Sequence, residues 1–419
     1  MKQKTSAEIC CIIIQKLLPS IYCSSLLNSF VCKIFEKIIP FHIYKIQSES
    51  KYANRFKSKV FLLKKDRIGI SASAISNLSL NKDVVINEEK LPDLYLYSHK
   101  NVIVSSCSDH IININERLII NDYLANKNDD NKTYYDYITR TFFRDIAFLR
   151  KKNLTRYIDC GIKIFGKYSF NYYHAVYENL IRLLLLQEFN DMIPTDVPII
   201  IDEDTIKIPS LNQILKELTK DLKRKIEVIK IDELVEIGDL WSFTPINQFT
   251  PNYKNSSLSK DTDQLFDREY TLKMRNKLLL MKSNKDFPTK LFITRKNTNR
   301  RNFNEDDVFS VLEPYGFIKI APEEFTLEEQ IQMFHNAQWI VSGSGAALTN
   351  LIFCQSYCNV LCLLGRSGHI QTCFTTPAFF NHAKMHYYQQ ENENIVGVHS
   401  NFHINVEKFN KYFKSIIES

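Results

Sequence analysis

The chain of 419 residues reads as an α/β protein of two doubly wound layers facing across a cleft, preceded by a basic helical arm. Three observations predict this. Strand-like and helix-like stretches alternate over 172–231 and again over 290–364, the order expected of βαβ units around parallel sheets. The second stretch carries explicit helix caps. The excess charge is confined to one end: the first sixty residues hold ten Lys or Arg against Glu8, Glu36 and Glu49, a local excess equal to the +7 of the whole chain.

The elements follow in order. The arm, 1–59, mixes apolar runs at 9–22 and 26–46 with Lys16, Pro19, Lys33, Glu36 and Lys37. A spanning helix needs about twenty apolar residues without such breaks, so an amphipathic helix pair is expected, either on an anionic membrane surface or packed on the folded units as a hairpin. No secretory signal is recognisable there. A first unit, 60–285, opens with strands at 60–63, 67–71 and 102–106 and a polar loop at 126–132. A long helix is expected from Tyr172 to about Phe189, then a strand at 197–201, a helix at 211–222 and a strand at 226–231. The polar stretch 249–263 reads as an exposed loop or lid, before a helix over 267–282. A second unit, 286–390, runs strand 290–294, helix from 304, strand from 317, helix from 326, strand 338–342, helix from 346 and strand 359–364. Its caps are Asn304 ahead of Glu305-Asp306-Asp307, and Thr326 with Glu329 as a capping box; Pro314 and Gly316 end the first helix. Residues 391–419 supply a last helix, expected to pack back across the units.

With 44% hydrophobic and 12% aromatic residues the chain can fill two cores, and the near-neutral remainder beyond the arm excludes a broad nucleic-acid surface. Of the ten cysteines none forms a zinc spacing. Cys354, Cys358 and Cys362 are four apart, but 359–364 reads as a strand, so buried free thiols and a reducing, cytoplasmic setting are expected.

Chemistry concentrates in two segments. In KLFITRKNTNRRNFNED a short strand is followed by Arg295, Arg300 and Arg301 in a polar loop, where guanidinium groups could converge on a diphosphate. In TLEEQIQMFHNAQWIVSGSGAALTN a strand runs into Gly343-Ser344-Gly345-Ala346-Ala347, small residues that let amides and a helix start approach a phosphate. The loop lacks the third glycine of a dinucleotide fingerprint and the Gly-Lys-Ser/Thr of a P-loop. Upstream, His174, Glu178 and Arg182 stand at i, i+4 and i+8, one face of a helix, with His174 the first choice of base and Glu178 the second. The plainer alternatives are a Glu178–Arg182 helix pair, a mere cap at Asn304 and Glu305, and helix-positioning roles for Gln330, Thr349 and Asn350.

These residues together resemble glycosyltransferase family 61, the group that includes capsular polysaccharide enzymes. The likeness rests on strand-Arg, Arg, Asn-Glu, the capped helix, the glycine loop with Leu-Thr-Asn, and the His-bearing segment 170–183. One position differs: members commonly carry His before the second glycine, where this chain has Ser344. The resemblance implies a GT-B-like arrangement of two Rossmann-like domains and an inverting, metal-independent transfer with no cofactor beyond a nucleotide-sugar substrate. The acceptor would be a glycan or lipid-linked sugar of bacterial surface polysaccharide, met at the inner face of the membrane. It makes Arg295, Arg300, Arg301, Asn304, Glu305, Gly343, Ser344, Gly345, Ala346, Thr349 and Asn350 donor-side residues. The alternative on the same scaffold is a non-catalytic nucleotide- or glycan-binding protein.

Overall fold

A computed structural model describes residues 41–73, 84–121, 138–143, 146–249, 261–294, 301–365, 372–389 and 400–418. Three sheets organise them. The largest has eleven strands and is mixed. At one end lies a parallel unit in the order Ile226–Ile229, Ile199–Asp202, Arg156–Lys163, Leu234–Phe243, in which the first strand in the chain is flanked by the second and the fourth. The run Ile199-Ile200-Ile201-Asp202 is buried throughout, as a parallel strand covered on both faces must be. From Leu234–Phe243 the sheet continues antiparallel through Leu94–Ser105 toward Phe41–Gln47.

The second sheet has five parallel strands in the order Ile318–Ile320, Lys290–Ile293, Trp339–Gly343, Asn359–Leu364, Lys384–Gln389. The chain reverses its direction of travel across this sheet between Lys290–Ile293 and Trp339–Gly343, and such a switch opens a crevice at the carboxyl ends of the two strands. A small antiparallel sheet of four strands, including Ile68–Ser73 and Gln264–Asp267, is tied to segments next to both larger ones. Buried Arg67 donates to Asp267 Oδ2 at 2.9 Å and to the carbonyl of Pro92 at 2.7 Å, and Ala72 N donates to Thr376 Oγ1 of the helix Thr372–Phe380 at 2.9 Å.

The local signals of the second unit are realised. Thr326 and Glu329 form the reciprocal capping box of Leu327–Asn336, and Gly316, at φ 82°, ends the helical stretch after Pro314. Four expectations change. First, the stretch placed in the arm does not stay helical: residues 1–40 lie outside the described residues, but Phe41–Gln47 is a strand of the large sheet and Glu49–Phe56 a helix whose Glu49 is buried against His99 Nε2 (2.8 Å) and Ser242 Oγ (2.7 Å). Buried Phe41 and Ile43 on one face and buried Tyr44 and Ile46 on the other fit a strand covered on both sides better than a helical stripe. Secondly, the strands Arg156–Lys163 and Leu234–Phe243 had no counterpart in the sequence reading, because charged residues interrupt their apolar positions. Thirdly, Val406–Ile417 buries Phe409, Phe413 and Ile416 with Phe292, Val308, Phe317 and Trp339, covering a face of its own five-stranded sheet. Fourthly, one apolar cluster runs from Ile162 and Ile199 through Ile181 and Leu184 to Leu291, Ile340 and Leu348, so the two larger sheets share a core.

Candidate functional site

The first half of the site is the helical segment after Lys163. Asn171 caps it, its Oδ1 accepting from Tyr173 N at 3.0 Å. Tyr172–His174 and Arg182–Glu188 are α-helical, but Ala175–Leu180 between them forms a π turn. Asn247 Nδ2 donates to the Tyr177 carbonyl at 2.8 Å, the kind of side-chain insertion that widens a helical ladder. His174 Nδ1 pairs with a Glu178 carboxylate oxygen, and both side chains remain partly open, 29% and 23% exposed. Arg182 does not extend this face. A π turn closes one residue later than an α turn, so position i+8 rotates away, and Arg182 is buried beside Asp109. The expected three-residue stripe is therefore a pair, and the Glu178–Arg182 ion pair does not form.

Behind that pair lies a buried charged node. Burial alone would raise the Asp109 carboxyl, but Lys163, Arg182 and the Lys167 N–H outweigh it and hold Asp109 below the usual carboxylate range. Lys163 donates to the Phe165 carbonyl at 2.6 Å, and burial pulls its ammonium down to about 8 against the pull of Asp109. Asp202 is pushed up to about 7 by burial, although the Ser169 hydroxyl and the Cys107 N–H, at 3.0 Å, both donate to it. Gly166 has no room for a side chain, since a Cβ there would lie 2.2 Å from Asp109 Oδ1 and 2.7 Å from Asn179 Oδ1. The node holds the loop that leads into Tyr172. Nothing in the sequence reading picked out Asp109, Lys163 or Asp202; a hint was available in polar residues at the carboxyl ends of the apolar strands.

The second half lies at the switch point of the five-stranded sheet. Arg295 and Arg300 fall outside the described residues. Arg301 takes a left-handed conformation, φ 58°, and its Nη1 donates to the Ser344 carbonyl at 3.0 Å and to Ser344 Oγ at 3.4 Å. The arginine loop and the glycine loop thus meet. Glu305 accepts from Thr294 Oγ1, which steadies the strand end from which the arginine loop departs. Asn304 holds the cap position without a side-chain cap bond. Its Oδ1 accepts from Ile404 N at 2.8 Å and its Nδ2 donates to the Ile404 carbonyl at 3.1 Å, so it pins the chain just ahead of the last helix. Gly343 and Gly345 are not left-handed. Gly343 is small because a Cβ would sit 2.9 Å from Phe303, and Gly345 is extended at φ −175°. The element after them, Ala346–Phe353, is a 3₁₀ helix rather than an α-helix. The Ser344 N–H is used, donating to the Leu363 carbonyl at 3.1 Å, and its half-buried hydroxyl faces Arg301, so the first-turn amides of Ala346 and Ala347 are the backbone donors a helix start offers here.

Residues 172–361 match the family model for glycosyltransferase 61. The chain carries a glycosyltransferase 61 region. A comparison with curated proteins gives no match. The matched stretch begins at the first residue of the His174 helix and ends in the strand beside the glycine loop, so it encloses both halves of the site.

Within this glycosyltransferase 61 region the two halves are hydrogen-bonded to each other. Tyr172 OH donates to Asn350 Oδ1 at 2.9 Å, Asn350 Nδ2 donates to Gln330 Oε1 at 3.0 Å, and Tyr177 OH donates to the Thr349 carbonyl at 3.0 Å. Asn350 is therefore a bridge between helices, with both ends of its amide engaged by the protein, and Thr349 is buried beside it. Of the two readings open for these residues the positioning one describes this geometry. Tyr173 stacks its ring on Phe249, 5.7 Å between centroids, and meets Phe374 edge-on at 5.9 Å. Its hydroxyl, pushed well up by burial, feels both Cys373 and Glu178, while Cys373, raised to about 12 by burial, feels Arg301. The described cysteines are free thiols, mostly buried, and among the described residues no three His, Cys, Asp or Glu side chains converge as metal ligands would.

Proposed function

We propose that this glycosyltransferase moves a sugar from a nucleotide-sugar donor to a hydroxyl of a glycan or lipid-linked acceptor, with the donor diphosphate between the arginine and glycine loops and the acceptor beside His174. The observation that carries the reading is the Tyr172–Asn350–Gln330 chain, which joins the helix bearing His174 to the 3₁₀ helix that follows the glycine loop. Glu178 accepts from His174 Nδ1, a bond that places the proton on Nδ1 and leaves the Nε2 lone pair to take the acceptor proton. Arg301, with Arg295 and Arg300 from the same loop, would offset charge growing on the leaving diphosphate. Ser344 would contribute a hydroxyl where relatives commonly place an imidazole.

The inverting, metal-independent course, the GT-B arrangement and a role in bacterial surface polysaccharide follow from the family resemblance. Among the described residues no helix is long and apolar enough to cross a membrane. Peripheral attachment through the basic segment 1–40 fits its charge and predicts sedimentation with anionic vesicles that raised salt reverses. Calorimetric titration with UDP, GDP, CDP and dTDP tests the core of the reading: one of them should bind, and a protein that binds none is not a nucleotide-sugar transferase.

A further inference from the structure

The loop between Lys163 and the His174 helix displays aromatic rings. Phe170 is the exposed phenylalanine among the described residues, at 43%. Tyr168, half-buried, meets it edge-on with 6.0 Å between ring centroids and lies 5.0 Å from the His174 ring. Tyr168 is also left-handed, φ 57°, a conformation that a bulky residue adopts only when its surroundings impose it. They do so here. The Asn171 N–H donates to the Tyr168 carbonyl at 2.8 Å, Asn171 caps the helix, the Ser169 hydroxyl is bound to buried Asp202, and the Lys167 N–H is bound to half-buried Asp109. Anchored residues thus alternate along the loop with half-buried Tyr168 and exposed Phe170.

We propose that Tyr168 and Phe170 form a stacking platform for a pyranose ring of the acceptor; this rests on the transferase reading above. A pyranose has an apolar face of axial C–H groups and a polar rim of hydroxyls. The strip offers the matching pattern: two aromatic rings, with the Lys167 ammonium 4.5 Å from the Tyr168 centroid on one side and the partly open His174–Glu178 pair on the other. The negative ring faces attract the polarised C–H groups, and the flanking charges take the hydroxyls. A sugar stacked on these rings presents its rim to His174, the group that would accept the proton of the attacking hydroxyl. An acyl chain fits less well, because the apolar surface is two rings bordered by charge rather than a continuous groove.

The test uses the full chain and a panel of methyl glycosides and disaccharides of glucose, galactose, mannose, xylose and N-acetylglucosamine, read by saturation-transfer NMR, with UDP, GDP and CDP as a parallel arm. Aromatic saturation should reach the axial C–H protons of at least one saccharide. Phe170→Ala and Tyr168→Asn, the latter chosen because Asn tolerates the left-handed backbone, should weaken that binding roughly tenfold, the scale of a lost ring contact. Phe170→Trp should restore it, and nucleotide binding and the thermal melt should not move. No saccharide contact in the parent, or contact unchanged by both variants, overturns the platform while leaving the transferase reading to stand on the nucleotide arm. Loss of nucleotide rather than saccharide binding would make the rings a base-stacking surface, and a lowered melt would make them the seat of another segment of this chain; either result also overturns the proposal. A parent that binds no nucleotide defeats the transferase reading instead.

Discussion

Replacing Tyr172 by Phe tests whether the bridge between the two halves of the site matters. The substitution removes one oxygen and keeps the ring, so no cavity is created and packing in the shared core is conserved. What is lost is the 2.9 Å bond to Asn350 Oδ1, a buried acceptor. An acceptor left unsatisfied costs about 1–3 kcal/mol. Asn350 remains tied to Gln330, so the loss should fall at the junction rather than unravel the second unit. Urea unfolding measures it, and a double-mutant cycle with Asn350→Leu assigns it: residues in direct contact couple by about 0.5–3 kcal/mol, whereas independent ones add within roughly 0.5 kcal/mol. The functional counterpart is a fall in kcat with nucleotide affinity kept, because the His174 pair loses its register with the glycine loop. Strict additivity in the cycle, or Tyr172→Phe with the parent's stability and turnover, would refute the bridge.

Three further outcomes follow from the geometry. Arg301→Ala should weaken nucleotide-diphosphate binding by about 1.5–3 kcal/mol, the range for hydrogen bonds to charged groups, as measured by calorimetry; equal affinity removes Arg301 from the donor site. His174→Ala should lower turnover by roughly 10²- to 10⁴-fold with donor affinity little changed, and full activity would move the base to Glu178. Asp202, raised to about 7, binds its proton more tightly folded than unfolded, so its ionisation costs the native state stability as pH rises from the ordinary carboxylate range to about 7. Asp202→Asn should remove that downward contribution from a pH series of urea melts, and an unchanged pH profile would refute the assignment.

What could be read from the sequence was local. The capping box at Thr326 and Glu329, the stop at Pro314 and Gly316 and the apolar strands near 290, 339 and 359 are each encoded within a few residues, and they suffice to order a parallel sheet whose switch point brings Arg301 to Ser344. The common helix face of His174 and Glu178 was legible for the same reason, the two being one helical turn apart, although the ion pair read there was Glu178–Arg182. Tertiary structure decided everything that depends on partners far along the chain. Asn304 has a cap's identity and position, but its amide binds Ile404, one hundred residues later. Arg182 sits at a helical interval from Glu178, yet a π turn set by Asn247 carries it to Asp109. Asn350 follows the glycine loop like a ligand-binding residue and instead joins Tyr172 to Gln330. Phe41–Gln47 reads as part of a basic arm until a neighbouring strand gives it a sheet to complete. A side chain's identity limits which bonds it can make, but which of them it makes depends on what the fold places within about 3 Å.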